Sequence, residues 1–325
     1  MATYKFAKAV VETERKPFEV TFLLTHNFSL MAFASAIEPL RAANRLAGKD
    51  LYSWQLVGPT SPAVFASNSM AAGIDSTPAE AGNAKFVVVC GGPDEHSFND
   101  PKTYAWLRRL AVNGATIGAI STGSFILADA GLLDGYQCTI HWESIAAFRE
   151  TYSSLNVVDD LFVIDRDRFT CSGGTASMDL MLQLITEQQG KELATSIAAQ
   201  FIHERVRHED DKQVMDPRHR LGVVHPRLRE TVLRMEQNIE TPISCTELAK
   251  QAGLSARQLE RLFRKYFDTP PARFYLNLRL EQARNLLRQT AMPILDVAIA
   301  CGFESASHFS KCYKERYETP PSMDR

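Results

Sequence analysis

Four near-continuous apolar runs of strand length punctuate the first 125 residues: FEVTFLL (18–24), YSWQLVG (52–58), FVVVCGG (86–92) and ATIGAIS (115–121). A run without polar alternation is covered on both faces, which predicts interior strands of a largely parallel sheet. Between them, LMAFASAIEPLRAANRLAG (30–48) and PKTYAWLRRLAVNG (101–114) repeat apolar residues at spacings of three and four and predict helices laid on that sheet. The alternation of strand and helix makes the first two thirds of the chain an α/β sandwich. Farther on, ELATSIAAQFIHERVR (192–207) carries a helical period with one apolar face. It either completes this domain or pairs with its own copy across a two-fold axis.

The last hundred residues lose every strand-like run. ISCTELAKQAGLSARQLERLFRKYF (243–267) predicts a short helix, a turn at Gly253 and a second helix capped by Ser255, with Leu248, Ala252, Leu254, Leu259, Leu262 and Phe263 closing a small core. This is a helix-turn-helix. The arrangement returns in ILDVAIACGFESASHFSKCYKERY (294–317), with Gly302 at the turn and Phe309 and Tyr313 anchoring the second helix. PARFYLNLRLEQARNLLRQT (271–290) joins the two as one long amphipathic helix of roughly 30 Å, close to one turn of DNA. Two reading helices at that spacing fit successive major grooves on one face of a duplex.

Between the halves, HEDDKQVMDPRHRLGVVHP (208–226) has no period, mixed charge and two prolines, the signature of a linker. The expected domains are therefore 18–207, a linker over 208–225, and 226–325. His203, His208, His219 and His225 fall around this stretch, but their irregular spacing without cysteine does not make a metal site. No metal or cofactor is expected.

Composition narrows the class. With 45% hydrophobic and 23% charged residues, the chain reads as a soluble globular protein. The opening MATYKFAKAVVETERKPFEVTFLL has no apolar leader core, and no run reaches 18 uninterrupted apolar residues, so the expected location is the cytoplasm, away from membranes. Six dispersed cysteines without a CxxC suit reduced core thiols. The net charge of -2 conceals an asymmetry, with basic residues in excess after Pro226 and acidic residues in excess before it. A nucleic-acid reader joined to a separate sensing module has this distribution, whereas so small a net charge disfavours a nucleoid-type structural protein.

Chemistry is expected beyond the carboxyl ends of the strands, where open parallel sheets collect their ligands. THNFS (25–29), CGGPDE (90–95), STGS (121–124) and CSGGTASMD (171–179) mark that edge. Their glycines either let backbone amides approach a ligand or only make tight turns. Phe28, Phe33, Phe65 and Trp142 sit near this rim and can face a cationic head or simply pack, and Glu38 could add a negative charge. In the second half, Ala256, Arg257, Gln258, Glu260, Arg261 and Arg264 are the outward positions of the first reading helix, with arginine suited to guanine or phosphate and glutamine to adenine.

The stretches FSLMAFASAIEPLRAAN, VVVCGG, GAISTGSFILADAGLLDG and CTIHWE together resemble the PfpI-type, glutamine-amidotransferase-like domain of the GlxA-like branch of the AraC/XylS regulators, over about residues 18–205. The resemblance implies a sharp elbow at Ser121, a histidine candidate at His141 and an acidic position at Glu38. Catalytic relatives carry cysteine at the elbow. Serine there needs a well-placed general base, so the resemblance implies a ligand-sensing relic, with a serine hydrolase or amidase as the alternative. The implied ligand contacts are Phe28, Phe33, Glu38, Ser121, Thr122, His141 and Trp142. Similar regulators respond to small nitrogenous metabolites, including betaine- and carnitine-like compounds, which makes a small zwitterion the expected effector.

The pattern LAKQAGLS…LERLFRKYF…RLEQARNLL…DVAIACGFES.SHFSKCYK…TPP is similar to the AraC/XylS DNA-binding domain over its whole length. That similarity places a second reading helix at 305–317, with Ser305, Ala306, Ser307, His308 and Lys311 near the groove; His308 either meets a phosphate or packs beside Phe309. Met323 stands where relatives often have tyrosine, which bears on the packing of the terminus. The whole chain is thus expected to be a dimeric, effector-responsive transcription regulator. Its expected partners are promoter DNA, a small-molecule effector and, for an activator, RNA polymerase.

Overall fold

The computed structural model describes residues 16–60, 62–93, 98–213 and 225–324, so His219, part of the 90–95 segment and most of the 208–225 linker lie outside the described residues. The chain divides into two units, Met1–Gln213 and Val214–Arg325.

In the first unit, β1 (Phe18–Leu24), β2 (Tyr52–Val57), β5 (Phe86–Cys90), β6 (Thr116–Ile120), β9 (Phe162–Asp165) and β10 (Arg168–Cys171) form one sheet in the order β2-β1-β5-β6-β10-β9. All neighbours are parallel except the β9–β10 hairpin. Two small sheets, β3 (Ala63–Phe65) with β4 (Ala71–Gly73) and β7 (Gln137–Cys138) with β8 (Asn156–Val157), decorate it. The four apolar runs are the four adjacent parallel strands, as their lack of alternation requires. Helices α1 (Leu30–Ala47), α5 (Ala176–Gln189) and α6 (Lys191–Gln200) cover one face over Phe22, Leu24, Val88 and Phe169. Helices α2 (Pro101–Val112), α3 (Ser124–Asp129) and α4 (Ile145–Thr151) belong to the core of the other, with Leu23, Val87, Val89 and Ile117. Each strand sends alternate residues to opposite layers, so the buried positions are almost all apolar, with Thr21 the polar exception in β1.

The 192–207 helix is shorter than its pattern. It ends at Gln200 because Ile202 turns left-handed (φ 55) while its N–H and that of His203 fold back on Ala199 and Ala198. It packs on α5 and α1 and so completes the domain. Residues 208–213 likewise depart from a free linker: the Leu161 N–H donates to Glu209 O at 2.8 Å, and Lys212 bridges Asp160, fastening this stretch to the first unit.

The second unit contains α7 (Pro226–Gln237), α8 (Cys245–Gln251), α9 (Ala256–Phe267), α10 (Pro271–Gln289), α11 (Ile294–Ala300) and α12 (Ala306–Tyr317). Helices α8 and α9 form the first helix-turn-helix over Leu248, Leu259 and Phe263, and α11 and α12 the second over Val297, Phe309 and Tyr313. At the second turn, Gly302 (φ 73) lies so close to Ile239 that any Cβ would stand 2.6 Å from its carbonyl oxygen. Helix α10 carries Arg279, whose Nε and Nη2 donate to Cys301 O (2.8 Å) and Gly302 O (2.6 Å) while its guanidinium lies 4.2 Å over the Phe303 ring. The terminus is tied back by Asp324, which accepts from Arg284, Arg288 and the Tyr313 hydroxyl. Met323 is exposed, and the neighbouring Asp324 carboxylate, not residue 323, holds the terminus.

Candidate functional site

The elbow follows β6. Ser121 takes φ 60, a strained value for a side chain with a Cβ, at the point where the strand turns into α3. The turn is possible because glycines surround it. A Cβ on Gly91 would lie 2.2 Å from Gly123 N, and one on Gly173 would lie 2.7 Å from both Ser121 Cα and Cβ. These glycines therefore permit close backbone approach as well as tight turns.

Ser121 and Thr122 are 7% and 6% exposed. The Thr122 hydroxyl donates to Gly92 O, and the Gly123 N–H is spent on Ile120 O. The N–H groups of Thr122 and Ser124 hold no backbone carbonyl among the described residues.

His141 lies beside the elbow, its N–H donating to Ser121 O at 3.3 Å. Its imidazole makes no hydrogen bond to Ser121 among the described residues. Instead Nδ1 stands 3.8 Å from Glu143 and the ring tilts against Trp142 at 5.8 Å. Burial pushes the His141 imidazole below the ordinary histidine value, with Glu143 opposing only in part, which keeps the ring neutral at pH 7. Trp142, 44% exposed, presents its indole at the surface next to this group.

The remaining expected contacts are not brought to the same point. Phe28 and Phe33 pack edge to face at 5.7 Å inside the sheet–helix core, Phe28 without exposed surface, so they form the wall behind the site rather than an open aromatic cage. Glu38 stands nine residues along α1 from the cap Ser29, roughly 13 Å away, and its carboxylate is held at 2.6 Å by Arg41. It is half-exposed and charge-compensated. Phe65, by contrast, is exposed on the hairpin whose carbonyl receives the Asn27 N–H, beside the β1–α1 loop.

Buried thiols near the site are inert. Desolvation pushes both Cys138 and Cys171 up to about 12, and no disulfide joins cysteines among the described residues. Among the described residues no group of three or more His, Cys, Asp or Glu side chains gathers to hold a metal, and no helix is long and apolar enough to cross a membrane.

In the second unit, Ser255 caps α9 through a reciprocal box with Gln258, whose Oε1 accepts the Ser255 N–H at 2.8 Å. That acceptor is occupied, so Gln258 serves the cap before any adenine. Arg264 is turned back onto Glu260 at 3.1 Å. Arg257 and Arg261, exposed one helical turn apart, are held by no ion pair among the described residues. On α12, Ser305 is the N-cap and accepts the His308 N–H, while the His308 ring meets Phe303 edge-on and its Nε2 lies 3.4 Å from Cys312 Sγ. The ring thus neighbours Phe303 and not Phe309, and the residue is exposed. Ser307 and Lys311 remain exposed, also one turn apart.

Comparison with known proteins agrees with this division. Residues 19–187 match the DJ-1/PfpI family and residues 248–325 match a helix-turn-helix domain. The HTH-type transcriptional regulator GbdR of Pseudomonas aeruginosa is 46% identical over the whole chain and 88% of its own length. The HTH-type transcriptional regulator GlxA of Rhizobium meliloti is 39% identical over 94% of this chain and 95% of its own. Among solved structures, an AraC family transcriptional regulator from Pseudomonas putida superimposes with a TM-score of 0.53 at 27% identity, over 57% of this chain and all of that one. These relatives are regulators, and the hydrolase alternative finds no support among them.

Proposed function

Since the chain belongs to the GlxA-like branch of the AraC/XylS transcriptional regulators, a DJ-1/PfpI domain joined to an AraC-type helix-turn-helix domain, we propose that its elbow holds the effector of a DNA-binding switch. The carrying observation is the elbow itself: a strained, glycine-enclosed Ser121 whose hydroxyl has no base among the described residues. Strain maintained without a base is suited to recognition rather than attack.

The proposed effector is a small zwitterion such as a betaine or carnitine. Ser121 and the two unclaimed turn amides, those of Thr122 and Ser124, would take its carboxylate, and the exposed face of Trp142 its cationic head, with the neutral His141 ring between them. Phe28 and Phe33 enter this proposal as the wall behind the site, and Glu38 only as a distant, already paired charge. On DNA, the proposed contacts are Arg257, Arg261, Ser307 and Lys311 at the grooves, with Gln258, Arg264, Ser305 and His308 presenting and capping the same helices. Homodimerisation, activation through RNA polymerase and action in the cytoplasm complete the reading.

Calorimetric titration of the full chain with glycine betaine, carnitine, choline, arginine and simple amino acids, repeated on Trp142→Ala, tests the ligand. Desolvating both charged ends demands partners for both, so analogues lacking either end should bind far more weakly. A quaternary-ammonium preference lost in Trp142→Ala supports the assignment. Binding confined to uncharged or purely anionic compounds refutes it and leaves the regulator intact.

A further inference from the structure

The end of the first unit, residues 203–213, contains no helix or extended strand, yet two clamps fasten it down. The first is Asp179 on α5, a fully buried carboxylate. It accepts from His203 Nε2 (2.8 Å) and from Arg207 N, Nε and Nη2 (2.8, 2.9 and 2.7 Å), and Arg207 Nη2 also reaches Thr175 Oγ1 at 2.8 Å. The second is Gln213, whose side-chain amide donates among Thr139 Oγ1 (2.8 Å), Ile140 O and Asp160 O (2.9 Å each). Between the clamps the strap is underpacked. A cleft of about 500 Å³ separates it from α5 and α6, bounded by Leu182, Thr186, Ala194, Val206, Arg207 and Glu209.

Each clamp is one contact from the elbow. Thr175, which Arg207 grips, lies two residues after Gly173, where any Cβ would stand 2.7 Å from Ser121 Cα. Thr139, which Gln213 grips, receives the hydroxyl of Ser124 at the start of the elbow helix (2.8 Å), and two residues on the His141 N–H returns to Ser121 O. Beyond Gln213 the chain leads into the second unit.

We propose that this strap transmits effector occupancy from the elbow to the DNA-binding unit, by release of the Gln213 clip while the Asp179 clamp holds as the pivot. The inference rests on the reading that the effector binds at the elbow. The order of release follows from chemistry. Asp179 makes charge-assisted bonds out of water, whereas Gln213 makes neutral amide bonds, the weaker kind. A ligand that shifts residues 139–141 takes away two of the three Gln213 acceptors.

The test uses the full chain as wild type, Gln213→Ala and Gln213→Glu, the last keeping the shape but losing the donor. Hydrogen exchange reads the Leu161 amide, which the strap carbonyl of Glu209 protects, and the Arg207 amide, which Asp179 protects; a promoter reporter reads output without added effector. In both variants Leu161 exchange should rise about tenfold, as loss of roughly one net hydrogen bond implies, with Arg207 unchanged. Effector-free output should change by about threefold or more, toward a released state. Faster Leu161 exchange with wild-type output overturns the transmission, and unchanged Leu161 exchange in both variants overturns the clip. Failure of glycine betaine and carnitine to move the wild-type reporter counts against the ligand reading alone, because the variants are scored without effector.

Discussion

Replacing Gly173 by alanine adds one methyl group at the most crowded point of the elbow. Two costs arise. Gly173 has φ 87, in the left-handed half of the map, where an alanine costs about 1–2 kcal/mol. The new Cβ would also stand 2.7 Å from Ser121 Cα and Cβ and 2.9 Å from Ser121 N, and relieving such overlap against backbone costs a further ~1–3 kcal/mol. The neighbouring Gly174 supplies the control. It is also left-handed (φ 54), but nothing lies within 4 Å of a Cβ built there, so Gly174→Ala incurs the backbone cost alone. Urea unfolding of the full chain, followed through the transition of the first unit, should place Gly173→Ala about 2–5 kcal/mol below wild type and Gly174→Ala about 1–2 kcal/mol below. Equal losses in the two variants would refute the close packing of the 173–175 loop on the elbow.

Ser121→Ala should alter effector affinity while leaving rates in an esterase and amidase screen at the wild-type background; turnover through a covalent serine adduct, abolished in the variant, would reverse that conclusion. Arg257→Ala, Arg261→Ala and Lys311→Ala should each weaken promoter binding in competition assays, a phosphate contact lowering the salt slope by about 1 and a base contact relaxing one operator position by about 1–3 kcal/mol. Asp324→Ala should destabilise the second unit by about 1–3 kcal/mol by thermal denaturation, through loss of the Arg284, Arg288 and Tyr313 bonds. Burial raises the Asp324 carboxyl pKa, but those bonds outweigh it and hold it at about 2, so the wild-type advantage is present above the usual carboxylate range and disappears as pH falls from about 4 to 2.

Strands buried on both faces were legible because the two core layers leave few polar positions in them, as Phe22, Leu23 and Leu24 show by facing alternate layers without exposed surface. The β9–β10 hairpin escaped that reading. Its first strand ends at Asp165, its turn is Arg166 and Asp167, and its second strand begins with Arg168, a buried guanidinium that donates to Leu132 O. The two helix-turn-helix units were legible from glycine and serine positions fixed by local geometry. The site was only partly so. A phenylalanine near a rim reads alike whether it faces a ligand or, like Phe28, a neighbouring ring, and Glu38 showed no sign in the chain of its bond to Arg41 beyond the three-residue spacing. His203 and Arg207, four residues apart, resembled one helical face; their common tether is Asp179, 24 and 28 residues earlier, a relation that only the fold creates.

Arg279 makes α10 and the second helix-turn-helix a single stiff body, because one guanidinium closes the end of α11 and lies on the ring just before the α12 cap. A stiff body measures length. An operator lengthened by one base pair between the two recognition sites moves the far site by about 3.4 Å along the axis and turns it by about a tenth of a revolution. A flexible tether would absorb that error. A braced junction would absorb less of it, so binding should fall when one base pair is inserted between the two recognition sites, an outcome that competition binding on spaced operators reads directly.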